Sequence, residues 1–225
     1  MHSMKKNPTL IDILISLAGF VIIWAVVTDA WGYSSHISIT YSSYLYAYLS
    51  RILWVSPALW LIHRNCTFLT FSKKVLFGRP VWNKSFFVVM ILLISIPCIG
   101  MFVTHKRFWL NIAINIPLEM IKICFVGFVE ETVFRGWGYN ALSAVVTDRK
   151  AVLYSTLFFV LLHWPAYFVR LFLYGTLDYM TLLTQSITAF IWGVLCCRML
   201  KKCKTLWNPV IAHIVYDALV VLLIG

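Results

Sequence analysis

The chain has 225 residues, of which 61% are hydrophobic and 12% are charged, and its mean hydropathy is +0.85. Soluble domains are about 45–50% apolar and about 25% charged, so this composition excludes a soluble globular protein and indicates an integral membrane protein. The net charge is +11, but the basic residues lie between apolar runs, which argues against a nucleic-acid-binding protein. We therefore expect an all-α, polytopic helical bundle in a lipid bilayer.

Two apolar runs in the first part of the chain predict membrane-spanning helices at residues 9–28 and 41–63. The first run is long for a signal peptide and lacks a small-residue cleavage site, so we expect an uncleaved span. The loop between the two runs contains no Lys or Arg. The second run contains Arg51, which either faces a polar cavity or precedes a span that starts later.

Five further apolar runs bring the expected number of spans to about seven. These runs cover residues 85–104, 108 to 136–139, 151–168, 180–200 and 208 to the C-terminus. An aromatic-rich segment at 167–175 is typical of a membrane interface. Because the chain shows no repeat, low-complexity segment or linker, we expect one integrated domain. Its residues 1–105 carry no recognised motif, whereas residues 106–225 carry the polar motifs described below.

The basic residues predict the orientation of this bundle. With seven spans, thirteen lysines and arginines fall in loops on the side of the N-terminus, and only Lys106, Arg107 and Arg170 fall on the other side. Short loops rich in Lys and Arg remain in the cytoplasm, so we predict a cytoplasmic N-terminus and an external C-terminus.

Two adjacent carboxylates and an arginine interrupt the fourth apolar run, at Glu130, Glu131 and Arg135. A charge at the centre of a membrane helix costs roughly 2.5–3.5 kcal/mol, so such residues are functional candidates. In a helix Glu131 and Arg135 lie on one face and can neutralise each other. Glu130 is rotated by about 100° and has no partner in this arrangement, so it is the predicted reactive carboxylate. The Glu119 and Lys122 side chains, three residues apart, are expected to form a structural ion pair.

Two later spans add histidines to this set. His163 lies four residues after Phe159 in the fifth span, and His213 lies four residues before Asp217 in the seventh. In the predicted topology a single polar pocket in the cytoplasmic half of the bundle can hold these groups together with Glu130. A carboxylate and histidines in a dry pocket can activate water as a general base, or they can bind zinc.

Other chemistries have little support in the sequence. The His-Glu-x-x-His motif of common zinc proteases and the Gly-x-Ser-x-Gly motif of serine hydrolases are both missing. The six cysteines lack zinc-ribbon or thioredoxin spacing. We expect free thiols, with lipidation of Cys196, Cys197 or Cys203 as the alternative.

The three motifs, in this order, resemble those of the CPBP family, the CAAX-protease and bacteriocin-processing (Abi) group of intramembrane endopeptidases. The resemblance covers about residues 110–225 and rests on Glu130-Glu131-x-x-x-Arg135, Phe159-x-x-x-His163 and His213-x-x-x-Asp217. It implies that Glu130 and His163 activate the attacking water. It further implies that His213 and Asp217 stabilise the oxyanion, and that Glu131, Arg135 and Phe159 support the site.

The resemblance leaves two chemical questions open. An ionised Asp217 cannot donate a hydrogen bond to an oxyanion, so it either orients His213 or helps to hold a metal. The family is commonly called a metalloprotease, which makes Glu130, His163 and His213 candidate zinc ligands, although a metal-free mechanism is also argued for it. We favour the metal-free mechanism, because a Glu–His pair already supplies a base.

The resemblance also implies the partners. The substrate would be a prenylated CAAX protein, a bacteriocin or pheromone precursor, or a membrane protein. The short chain and bare N-terminus are expected of a bacterial protein of the cytoplasmic membrane, for which peptide maturation or self-immunity is the favoured role. A non-catalytic bacteriocin-immunity or other membrane binding protein is the alternative. A transporter or channel has no broken-helix repeat in its favour.

Overall fold

The computed structural model describes residues 7–26, 41–175 and 178–224, with the backbone alone at 41–44, 169, 170 and 172–174. The described part is helical and contains no strand, which confirms the all-α prediction. Its helices are α1 Leu10–Trp24, α2 Tyr41–Arg64, α3 Lys73–Leu76, α4 Lys84–His105, α5 Ile116–Glu131, α6 Asn140–Leu142, α7 Asp148–Tyr174, α8 Tyr179–Cys203 and α9 Trp207–Leu223. A π-helical segment, Thr132–Tyr139, joins α5 to α6.

Four of these helices are long and apolar enough to cross a membrane, namely Leu45–Arg64, Lys84–His105, Asp148–Phe168 and Tyr179–Cys203. Helices α1 and α9 are apolar but have only 15 and 17 residues. A helix of 17 residues is about 25 Å long, somewhat less than the hydrocarbon thickness of about 30 Å. The prediction of an integral membrane protein is thus confirmed, whereas the seven spans and the cytoplasmic N-terminus stay predictions. The predicted loop at 29–40 lies outside the described residues.

The outer surface of the bundle supports a lipid environment. On α4 the large apolar side chains Ile91 and Val103 are 68% and 62% exposed, and other helices expose similar residues. Extended apolar surface of this kind is rare on soluble monomers, whereas in a bilayer it contacts acyl chains.

The fourth predicted span begins later than expected. Residues 106–115 are not helical, and α5 starts only after Asn115, whose side chain accepts a hydrogen bond from the Leu118 amide at 3.3 Å. Pro117 occupies the first turn. An Asn cap followed by proline is a strong start signal for a helix, so the prediction of a start at residue 108 is wrong. The apolar composition of the preceding loop concealed this signal.

Helix α7 is longer than the predicted span at residues 151–168. It continues through Pro165 to Tyr174 and ends at Gly175, whose φ of 66° is left-handed. Glycine adopts this conformation without steric cost and is common after helix ends. The aromatic-rich segment at 167–175 is therefore largely the end of this helix.

The π-helical segment lies at the centre of the bundle. All eight of its residues are buried, and it packs against α1, α2, α7 and α8. The Phe134 carbonyl accepts a hydrogen bond from the Ser155 hydroxyl of α7 at 2.8 Å, and the Trp137 indole donates to Ser16 of α1 at 2.9 Å. Such π-helical segments are frequent at functional sites. This segment begins directly after the two carboxylates.

Two asparagines fasten the loop between α2 and α4 to the central elements. Asn140 of α6 exchanges two hydrogen bonds with the Phe71 backbone, at 2.7 and 3.0 Å. Asn208 of α9 does the same with the Val81 backbone, at 2.9 and 2.8 Å. Both asparagines are fully buried. These hydrogen bonds hold the end of the π-helical segment, which carries Arg135, and the start of α9, which carries His213, against the loop.

Candidate active site

Glu131 connects three elements of the bundle. This fully buried carboxylate accepts hydrogen bonds at one oxygen, Oε1, from Arg135 Nη1 at 3.1 Å, from the His213 ring at 3.0 Å and from Trp192 Nε1 at 3.4 Å. An ionised carboxylate only accepts hydrogen bonds, so the His213 Nδ1 atom that faces it carries the proton. Glu131 thereby fixes the orientation of the His213 ring.

Phe159 lies between the arginine and the two histidines. The Arg135 guanidinium carbon is 4.2 Å from the centre of the Phe159 ring, which is a cation–π geometry. The edge-to-face ring contacts of Phe159 reach His163 at 5.0 Å and His213 at 6.3 Å. Arg135, His163 and His213 thus share one aromatic neighbour, Phe159.

The second nitrogen of His213 faces the remaining carboxylates. Its Nε2 atom lies 3.9 Å from Glu130 Oε2 and 3.6 Å from Asp217 Oδ2. Both distances exceed ordinary hydrogen-bond lengths. Glu130, which the sequence leaves without a partner, therefore has a loose ionic contact with His213. The structure brings all three predicted carboxylates to this one imidazole.

His163 is held by its own helix. Its Nδ1 atom lies 2.9 Å from the Phe159 carbonyl oxygen, one turn earlier in α7. A carbonyl oxygen accepts but does not donate, so Nδ1 carries the hydrogen. In the neutral ring the Nε2 atom then keeps its lone pair and can accept a proton.

Two cavities that share lining residues lie where the sequence predicts one polar pocket. The larger, of about 300 Å³, is lined by Trp24, Glu130, Leu162, His163, Ala166, Tyr167 and Gln185. The smaller, of about 160 Å³, is lined by Phe159, His163, Gln185, Thr188, Ala189, Trp192, His213, Tyr216, Asp217 and Val220. His163 and Gln185 line both cavities. Glu130 lines the larger cavity, and His213 and Asp217 line the smaller one.

Three residues of the site were not assigned to it from the sequence. Gln185 of α8 lines both cavities, and Trp192 of the same helix donates to Glu131. Arg51 lies with its guanidinium carbon 5.2 Å from the ring centre of Trp24, which lines the larger cavity. The structure thus favours the first alternative for Arg51, a place beside the polar cavity. A polar side chain inside an apolar run was the available signal for Arg51 and Gln185.

The sequence makes Glu130, His163 and His213 candidate zinc ligands. Within the described ranges, no group of three or more His, Cys, Asp and Glu side chains is arranged to hold a metal ion. The Nδ1 atom of each predicted histidine ligand is engaged, in His163 by a carbonyl and in His213 by Glu131. Metal-binding histidines commonly show this arrangement, so it does not exclude a metal at Nε2. The zinc set of Glu130, His163 and His213 therefore stays a prediction, as does the metal-free mechanism.

Two further expectations concern residues outside the cavities. Glu119 and Lys122 form the predicted ion pair. All six cysteines are free thiols, and Cys196, Cys197 and Cys203 are buried. Burial leaves these three thiols without the access that lipidation requires, so free thiols are the supported alternative.

Comparison with protein families connects this site to known proteins. Residues 115–219 match the family model described as Rce1-like, "Type II CAAX prenyl endopeptidase Rce1-like". The matched segment contains every motif residue that carried the resemblance and lies within the predicted core at 106–225. Comparisons with curated proteins and with solved structures found no match.

Proposed function

We propose that this membrane protein hydrolyses a peptide bond in the membrane with water activated by Glu130 and His163. The match of residues 115–219 to the Rce1-like CAAX endopeptidase family model supports this proposal. One observation carries this proposal. The Glu130 carboxylate and the His163 imidazole line the same cavity, and the His163 Nδ1 hydrogen is directed to a carbonyl, so its Nε2 lone pair is available.

The reaction begins with a water molecule in the larger cavity. Glu130 takes one proton from the water, whose oxygen attacks the carbonyl carbon of the scissile peptide bond. His163 Nε2 accepts a hydrogen bond from the same water and orients it. When the tetrahedral intermediate collapses, the C–N bond breaks and the proton held by Glu130 passes to the leaving amine. General base catalysis of this kind contributes about 10²–10⁴-fold.

The oxyanion of the intermediate requires hydrogen-bond donors. An ionised Asp217 accepts only, so we assign it the role of orienting His213, whose Nε2 atom is 3.6 Å away. Gln185 offers a neutral donor. It lines both cavities, and its amide makes no hydrogen bond within the described part of the chain. We therefore assign the Gln185 amide to the oxyanion or to the substrate carbonyl.

The buried Glu131–Arg135 pair supports these groups without reacting. Both side chains are fully buried, and Glu131 holds the ring of His213. The substrate is a peptide or a membrane protein, and with the predicted orientation it is cleaved near the cytoplasmic face. Prenylated CAAX peptides and bacteriocin-type precursors are the two substrate classes to test.

A cleavage assay with matched variants tests the proposal. Purified protein in lipid is incubated with prenylated and unprenylated CAAX peptides and with bacteriocin-type precursors, and products are identified by mass spectrometry. Glu130→Gln should lower the cleavage rate by at least about 10²-fold. Glu119→Gln on the same helix, outside both cavities, is the control and should retain activity.

Two results would count against this function. If Glu130→Gln keeps its activity within about threefold, Glu130 is not the general base. If the folded protein cleaves no candidate but binds one of them, the non-catalytic immunity protein becomes the better explanation.

A further inference from the structure

A groove on the outside of the bundle lies between α4 and α8, where α4 begins and α8 ends. Its volume is about 370 Å³. Three cations line it, Lys84 at the first residue of α4 and Arg198 and Lys202 near the end of α8. Apart from Ser85, the other lining residues are apolar: Val88, Val89, Leu92, Leu195 and Met199.

The basic end of this groove carries a net positive charge. No lining residue is acidic, and within the described ranges none of the three cations forms a salt bridge. The carboxylate whose charge acts on Arg198 is Asp148, which binds Lys201 at 2.8 Å outside the groove. An anionic group can therefore bind here without displacing an existing ion pair.

The apolar walls continue from this basic end along the two helices. Lys84, Val88 and Leu92 are spaced four residues apart and lie on one face of α4. Val88 and Leu92 are 47% and 52% exposed. On α8, Leu195 lies three residues before Arg198 on the opposite wall. The groove thus has the polarity of an amphiphile, with a cationic end and an apolar trough.

We propose that this groove binds one anionic phospholipid. The phosphate lies on Lys84, Arg198 and Lys202, and one acyl chain lies along Val88, Leu92 and Leu195. Basic pockets between transmembrane helices are suited to anionic headgroups. A free phosphate would use the basic end alone, whereas a phospholipid also covers the exposed trough. The groove shares no lining residue with the two active-site cavities, and the proposal does not depend on the protease function.

The charge contribution is tested by native mass spectrometry. Protein is released from nanodiscs of equimolar phosphatidylcholine and phosphatidylglycerol, and the fraction that retains phosphatidylglycerol is measured. Each cation near an anionic lipid contributes about fivefold in affinity, so Lys84→Gln/Arg198→Gln/Lys202→Gln should weaken binding about a hundredfold. The control Lys74→Gln/Arg149→Gln/Lys150→Gln removes the same residue types from other exposed positions and should bind normally.

The trough is tested by filling it. Val88→Trp should reduce phosphatidylglycerol retention at least tenfold without changing the charge. Ile91→Trp places the same ring at an exposed position on α4 outside the groove, and it should have no effect. Circular dichroism and thermal unfolding confirm that each variant is folded before it is compared.

Each of three outcomes would overturn the proposal. If the two triple variants lose phosphatidylglycerol binding equally, the lipid is attracted by the general positive charge of the surface and not by this groove. Normal retention by Val88→Trp would exclude a chain in the trough. If soluble glycerol 3-phosphate displaces the bound lipid as effectively as added phosphatidylglycerol does, the groove is a phosphate site and not a phospholipid site.

Discussion

The Nδ1 nitrogen of His213 lies 3.0 Å from Oε1 of Glu131, and this contact ties α9 to the end of α5. The same oxygen accepts a hydrogen bond from Arg135 at 3.1 Å. Glu131 and Arg135 are both fully buried, so each charge depends on the other for compensation. A buried charge that loses its partner is strongly destabilising, whereas a pair replaced by apolar residues often is not.

The buried pair predicts non-additive effects on stability. Glu131→Leu and Arg135→Met should each lower the free energy of unfolding by about 3–5 kcal/mol, because each leaves one uncompensated charge. The double variant should be more stable than either single variant. Thermal unfolding in detergent measures all three, and additive losses would show that the pair is not coupled.

The place of Gln185 in both cavities predicts that its substitution lowers catalysis with little loss of substrate binding. Gln185→Met has a similar shape but cannot donate a hydrogen bond to the oxyanion. Removing one such donor typically lowers kcat by about 10²–10³-fold, and KM should change little. The exposed neighbouring residue provides the control Thr184→Val, which should behave as the native protein. A defect confined to KM would restrict Gln185 to substrate binding.

The distribution of basic residues predicts the orientation in the membrane. After the natural cysteines are replaced, Ser72→Cys should be protected from an impermeant thiol reagent in intact cells. Ala113→Cys, in the exposed loop before α5, should be labelled. Permeabilised cells provide the control in which both positions react. Labelling of Ser72→Cys alone in intact cells would reverse the proposed orientation.

The Glu130–His163 pair, which supplies a base without a cation, predicts activity without a metal. Exhaustive chelation should leave peptide cleavage unchanged, and elemental analysis of the active protein should find far less than one zinc per chain. A zinc enzyme would instead lose its activity on chelation and regain it with stoichiometric zinc. That result would require Glu130, His163 and His213 to rearrange around the ion, with Asp217 as a further ligand.

The sequence by itself determined that this protein lies in a lipid bilayer, and it determined the contacts of the site that form within a single helix. A chain with 61% hydrophobic residues must satisfy its backbone within helices in a bilayer, which the all-α structure confirms. Residues four apart meet within one helix wherever that helix packs. The spacing therefore predicted the Glu131–Arg135 pair and the proximity of Phe159 to His163 and of His213 to Asp217.

Only the tertiary structure decided which helices meet at the site. Trp192 and Gln185 join the cavities because α8 packs against α7 and α9, and no spacing along the chain encodes that contact. Packing also brought His163 and Gln185 to both cavities and placed His213 Nε2 3.9 Å from Glu130. Contacts between remote helices depend on the shapes of all the buried side chains at once. A periodic pattern describes one helix at a time and cannot specify them.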